Sequence, residues 1–208
     1  MTTYSGNYPN AGPNTSAGNT VNDMFGLEFM VTASGYYLMG MAQWLGTNGG
    51  TEVTNTSDSE IALWKVTGSA AGSYISGTAL TSGAPFSSGV SGQWNTIMYP
   101  TPVALTQDQP YKIVIPMPTG NYWTDTANQW GTGQSYANGI VNGPLTIFSN
   151  GGGSKPDEYG NGNSCYIGGD GGGNPTTDNP TSSSLTYYWL DVIVGVPAPS
   201  GLLMTASI

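Results

Sequence analysis

The chain has 208 residues, enough for one sizeable domain, and its 32 glycines and 14 prolines leave little room for long helices. Charged residues are only 7% of it: three lysines, no arginine and no histidine stand against twelve carboxylates, a net charge of −9. That balance excludes the basic footprint a nucleic-acid or anionic-membrane partner needs, and the missing histidine removes the Ser-His-Asp, Cys-His and His-metal routes to catalysis. Aromatic residues, at 11%, supply surface to bury, so the composition reads as a β-rich fold with long polar loops rather than a disordered chain.

In chain order, residues 1–22 are polar and rich in Gly, Asn, Thr and Pro, which reads as a flexible N-terminal arm without the features of a signal peptide. The domain proper runs over 23–196. Phe25, Leu27, Phe29 and Val31 alternate with Gly26, Glu28, Met30 and Thr32, the period of a half-buried strand. Further strands are expected at 36–44, 61–68, 92–99, 102–106, 110–117, 143–148, 163–168 and 186–196, each bounded by turn formers. Eight to ten strands without a convincing helical period predict an all-β fold, an antiparallel β-sandwich of jelly-roll type. No apolar run approaches the roughly 20 residues of a membrane span. Pro197 and Pro199 then break the last strand, and the apolar tail 197–208 is expected to dock on its own domain or on a neighbouring subunit.

Two long segments interrupt the strands. In 118–142, Tyr122, Trp123, Trp130 and Tyr136 cluster with Asp125; these suit stacking on a sugar ring, a protein interface, or a cap over the end of the core. In 149–185, Asp170 and Asp178 stand among glycines and asparagines, oxygen donors of the kind calcium takes but without a fixed-spacing calcium motif. Calcium is therefore the only cofactor to consider. Carboxylates such as Asp58, Glu60, Asp157 and Glu158 lie in hydrophilic loops, where solvated acids are the ordinary case, so no catalytic residue is assigned. Cys165 is the only cysteine and can form no internal disulfide.

Four motifs recur in a familiar order. A Phe-rich strand reaches a glycine and a second strand (LEFMVTASGYYLMGMAQW); Leu63-Trp64 precedes Gly68 by a fixed step; Gly92-Gln93-Trp94 leads into Pro102-Val103-Ala104-Leu105-Thr106 and Tyr111; and Tyr188-Trp189 precedes Asp191-Val192. Over about 24–196 this resembles a family of modules known only as a domain of unknown function, found in multidomain bacterial surface and secreted proteins and in some phage virion proteins. The chain departs from that pattern in reading Met-Ala-Gln-Trp where an arginine is common, and in the length of 149–185. The resemblance implies a β-sandwich with a non-enzymatic, accessory role, and Trp64, Trp94, Trp189 and Asp191 as structural signature residues. It also motivates the leading expectation, a structural protein of a bacteriophage virion: a capsid decoration, head-fibre or minor tail component. Such a protein is made in the host cytoplasm and is partnered by other virion proteins and by copies of itself. The alternative is a carbohydrate-binding or adhesion module that uses the aromatic loop on a cell-surface glycan.

One carboxylate stands inside an apolar run, TYYWLDVIV. Alternation puts Tyr188, Leu190, Val192 and Val194 on the core face and Tyr187, Trp189, Asp191 and Ile193 on the other. There Asp191 is expected to accept hydrogen bonds from a crossing loop or to pair with a lysine such as Lys65.

Overall fold

The structure is a computed structural model, and it describes residues 2–6, 15–18, 23–45, 47–48, 51–52, 61–66, 74–80, 90, 92–117, 122–125, 136–148, 165–167, 182–183 and 189–198. The strands are β1 (Thr3–Tyr4), β2 (Thr15–Gly18), β3 (Asp23–Val31), β4 (Tyr37–Leu45), β5 (Thr47–Asn48), β6 (Thr51–Glu52), β7 (Ala62–Val66) and β8 (Tyr74–Ala79). They continue with β9 (Gln93–Ala104), β10 (Tyr111–Met117), β11 (Tyr122–Asp125), β12 (Ile140–Asn142), β13 (Leu145–Ile147), β14 (Cys165–Ile167), β15 (Ser182–Ser183) and β16 (Leu190–Gly195).

Two antiparallel sheets carry the fold. The smaller runs β1-β16-β4-β9, and the larger runs β12-β13-β3-β10-β7-β8, with β14 and β15 attached beside β3. The period-2 pattern explains why they face one another. Phe25, Leu27, Phe29 and Val31 of β3, with Ile113 and Ile115 of β10 and Leu145 and Ile147 of β13, line one face of the larger sheet. They join Leu38 and Met41 of β4 and Leu190, Val192 and Val194 of β16 in a single buried cluster. Each such side chain contributes roughly 1.5–3 kcal/mol by leaving water, so the two-sheet arrangement follows from the alternation itself. The all-β sandwich architecture is what the composition and turn spacing lead one to expect.

The far side of the larger sheet is not a wet face. Met24, Ala62, Trp64 and Val114 form a second buried cluster there. Glu28 and Lys112 stand directly opposite each other in the β3–β10 register and make an ion pair at 3.1 Å, both side chains fully buried. The alternation of β3 predicts a half-buried strand; the structure buries both faces, and on the outer one the two opposite charges neutralise each other across the ladder beside the apolar cluster.

The stretches at 92–99 and 102–106, expected as two strands split by prolines, form one strand, β9. The chain accommodates Pro100 and Pro102 by bulging. Leu38 pairs with Val103 and Gly40 with Met98, so that Met39 alone faces the four residues Tyr99 to Pro102. At Gly40 any Cβ would run into the Ile97 carbonyl, so the close approach of the two strands at this bulge requires glycine. β9 has β4 on one side and, among the described residues, no strand on the other. At the opposite edge of the same sheet, β1 pairs with β16, Thr3 against Gly195 and Tyr4 against Val194. Residues Thr3–Tyr4 and Thr15–Gly18, both within the segment read as an arm, are thus strands, the second paired with β11.

Candidate functional site

Among the described residues, a polar seat holds residues 2–6 against β16. Alternation turns Asp191 away from the core side chains of Leu190 and Val192, yet Asp191 is only 6% exposed because the chain at Ser5 and Gly6 crosses it. The Gly6 amide donates to Asp191 Oδ1 at 2.7 Å, as does the Val192 amide, and the Ser5 side chain adds a further hydrogen bond. Burial pushes the carboxyl up to about 7, against the opposing pull of those hydrogen bonds. The Asp191 charge, after burial, also raises the Tyr136 phenol, which brings a residue of the aromatic loop into electrostatic range of the strand carboxylate.

The rest of the seat reads backbone and one ring. Asn142 Nδ2 donates to the Ser5 carbonyl at 2.9 Å. The Tyr4 ring lies so close over Gly143, which has a φ of +58°, that a Cβ there would overlap it, and it meets Tyr36 edge-on at 6.0 Å. A ladder with residues 194–195, a carboxylate that accepts from the Gly6 amide, an Asn142 amide that donates to the Ser5 carbonyl, and a ring slot together hold an extended segment added to a sheet edge.

A second aromatic feature lies along the smaller sheet. Trp44 and Trp94 stand opposite each other across β4 and β9, and with Trp189 they form a trio with ring centroids 5.8–6.0 Å apart. The Trp44 amide donates to the Trp189 carbonyl at 3.0 Å. Trp189 has a φ of +50°, a left-handed conformation uncommon for a bulky residue and worth roughly 1–3 kcal/mol of strain. Alternation places Trp189 on the face away from the core, yet it is buried in the core cluster, its positive φ taking it out of the strand pattern. Trp44 and Trp94 are half-buried. Trp64, by contrast, packs on the outer face of the larger sheet.

The residues singled out in the sequence therefore separate. Asp191 and Trp94 belong to the smaller sheet, Trp189 immediately precedes its strand β16, and Trp64 belongs to the other sheet. Asp191 takes its hydrogen bonds from Gly6, Val192 and Ser5, and Lys65 is an exposed residue of β7 in the larger sheet. Tyr136 is half-buried against the core. Tyr122, Trp123 and Asp125 lie in β11, a stretch read from sequence as loop, whose backbone pairs with β2 and lies beside β4. Trp130, Asp170, Asp178 and residues 199–208 of the tail lie outside the described residues. Among the described residues, no three Asp, Glu or Cys side chains gather as a cation site. Sequence reasoning missed Trp44 and the whole of the Tyr4–Gly6 contact. The first was visible as a tryptophan in a predicted strand; the second had no local signal, since its partners stand 137 and 185 residues away.

Comparison of the chain with family models, with curated proteins and with solved structures found no match.

Proposed function

We propose that this chain is a non-enzymatic structural protein of a bacteriophage virion, a capsid decoration, head-fibre or minor tail component that displays a β-sandwich of jelly-roll type on the particle surface. The observation that carries the structural part of this reading is the use made of Asp191: the buried carboxylate of the signature strand holds another segment of the chain in register. The chain also passes repeatedly between the sheets, from β3 to β4, from β8 to β9, and from β9 to β10, which supports the jelly-roll winding. The virion assignment draws on the motif resemblance and on the acidic, lysine-poor composition. Antibody raised against the recombinant chain, applied to gradient-purified particles from a culture that carries the gene, tests it. Labelled particles are expected; particles free of the chain by labelling and by mass spectrometry would end the proposal.

A glycan-binding role is the second reading, favoured by one observation: β11, which carries Tyr122 and Trp123, lies beside β4, which carries the half-buried Trp44. A glycan array probed with the intact chain and with the double variant Trp123→Ala, Trp130→Ala decides it. The reading requires binding by the first and loss in the second, and no bound glycan would sink it.

A further inference from the structure

We propose that the seat filled by Thr2–Gly6 takes the same segment from a second copy of the chain, so that neighbouring subunits are joined by exchange of β1. This deepens the structural-protein reading and rests on it. The seat belongs to parts of the chain far removed in sequence from the segment it holds: β16, Asn142, Gly143 and Asp191. Its contacts are a two-residue ladder, two backbone hydrogen bonds to polar side chains, the Ser5 side-chain hydrogen bond to Asp191, and the Tyr4 ring packed over Gly143 and edge-on to Tyr36. None of these depends on the segment being covalently continuous with the seat, so the contacts are the same whether the strand comes from its own chain or from another copy.

The seat is specific enough to choose this segment. Asp191 is all but buried and accepts the Gly6 amide at 2.7 Å, and the slot over Gly143 admits the flat ring of Tyr4. A random strand added at this edge would lack the Tyr-Ser-Gly order that fills ring slot, carbonyl donor and carboxylate in turn. The eight residues between Gly6 and Thr15 give a reach of at most about 30 Å when fully extended, enough to cross to a subunit packed alongside. In dilute solution tethering favours the chain's own seat. Where copies are held side by side, the neighbour's segment competes at a comparable effective concentration.

The β1–β16 register supplies the test. Thr3 faces Gly195, and continuing one step places Thr2 beside Val196, both exposed and both replaceable without disturbing the core. In a Cys165→Ser background, one tagged chain carries Thr2→Cys and a differently tagged chain carries Val196→Cys, and the two are co-expressed, concentrated and oxidised. The expected result is a disulfide-linked species of twice the chain mass that bears both tags. A control pairs Val196→Cys with Val90→Cys, since Val90 is 53% exposed but belongs to no part of the seat. A mixed species no more abundant than in the control overturns the proposal, as does a chain carrying both cysteines that closes only within itself at every concentration. Should the Cys165→Ser chain fail to fold, peptide mapping by mass spectrometry with Cys165 retained reads the same Thr2–Val196 linkage. Failure of the virion reading would appear separately, as particles that lack the chain while the cross-link still forms.

Discussion

Asp191 accepts two amide hydrogen bonds in a setting almost closed to water, and its titration is a contest between those forces. Burial wins: the carboxyl titrates near 7 in the folded chain, against an ordinary value of 3.8. The folded state therefore binds a proton that the unfolded state has released over that interval. The contribution of this group is fully present below about pH 4 and is lost as pH rises through 7, an effect on the order of 4 kcal/mol. Urea unfolding at pH 4.5 and pH 8 should show the parent chain losing its advantage over Asp191→Asn as pH rises; a difference that does not change with pH would contradict this. At the acidic end Asp191→Ala should cost about 1–3 kcal/mol, because the Gly6 amide loses its acceptor. Tyr99 offers the converse case, a buried hydroxyl with no hydrogen-bond partner among the described residues. Tyr99→Phe should leave stability unchanged or raise it by about 1 kcal/mol, read as a shift in the urea midpoint. The direction in which Asp191 points was legible from simple alternation. Its partner was not, because a glycine amide in a polar, glycine-rich stretch carries no mark of the carboxylate 185 residues away.

At the scale of the element, β3 and β10 are bound by chemistry on both faces. On the outer face the Glu28–Lys112 pair is held in the ladder at 3.1 Å with no exposure of either side chain. Removing one partner, as in Lys112→Met, should cost about 3–5 kcal/mol by stranding the other charge, whereas Glu28→Met with Lys112→Leu should cost less than either single change. A double-mutant cycle by denaturant unfolding measures that coupling, and additive single effects would rule it out. In the seat, Gly143→Ala meets both the Tyr4 ring and an unfavourable positive φ, so about 1–3 kcal/mol of stability should be lost. The strands with clear alternation or dense apolar runs, β3, β4, β7 and β10, were legible near their observed bounds, whereas β16 begins at Leu190, four residues later than expected. Those that rely on pairing rather than on side-chain pattern were not. The YISGTA sequence of β8 is small and interrupted by glycine, and β11 lies in a stretch with every sign of a loop until β2 pairs with it.

For the molecule as a whole, two antiparallel sheets closing on one core were foreseeable from turn spacing and composition, since a chain so poor in helix formers must bury its apolar residues between strands. Which sheet face would be covered was not foreseeable. A lysine and a glutamate in neighbouring strands look solvated in sequence, and only their register makes them a buried pair. The bulge of β9 has a bearing on how copies of this fold could meet. Four residues of β9 span one residue of β4, and two of the four are prolines, which lack the amide hydrogen that another strand would need. Across that stretch the edge is out of step with any regular ladder. A strand of another molecule laid along β9 would lose hydrogen bonds over that stretch, which disfavours the continuous ladder by which amyloid grows.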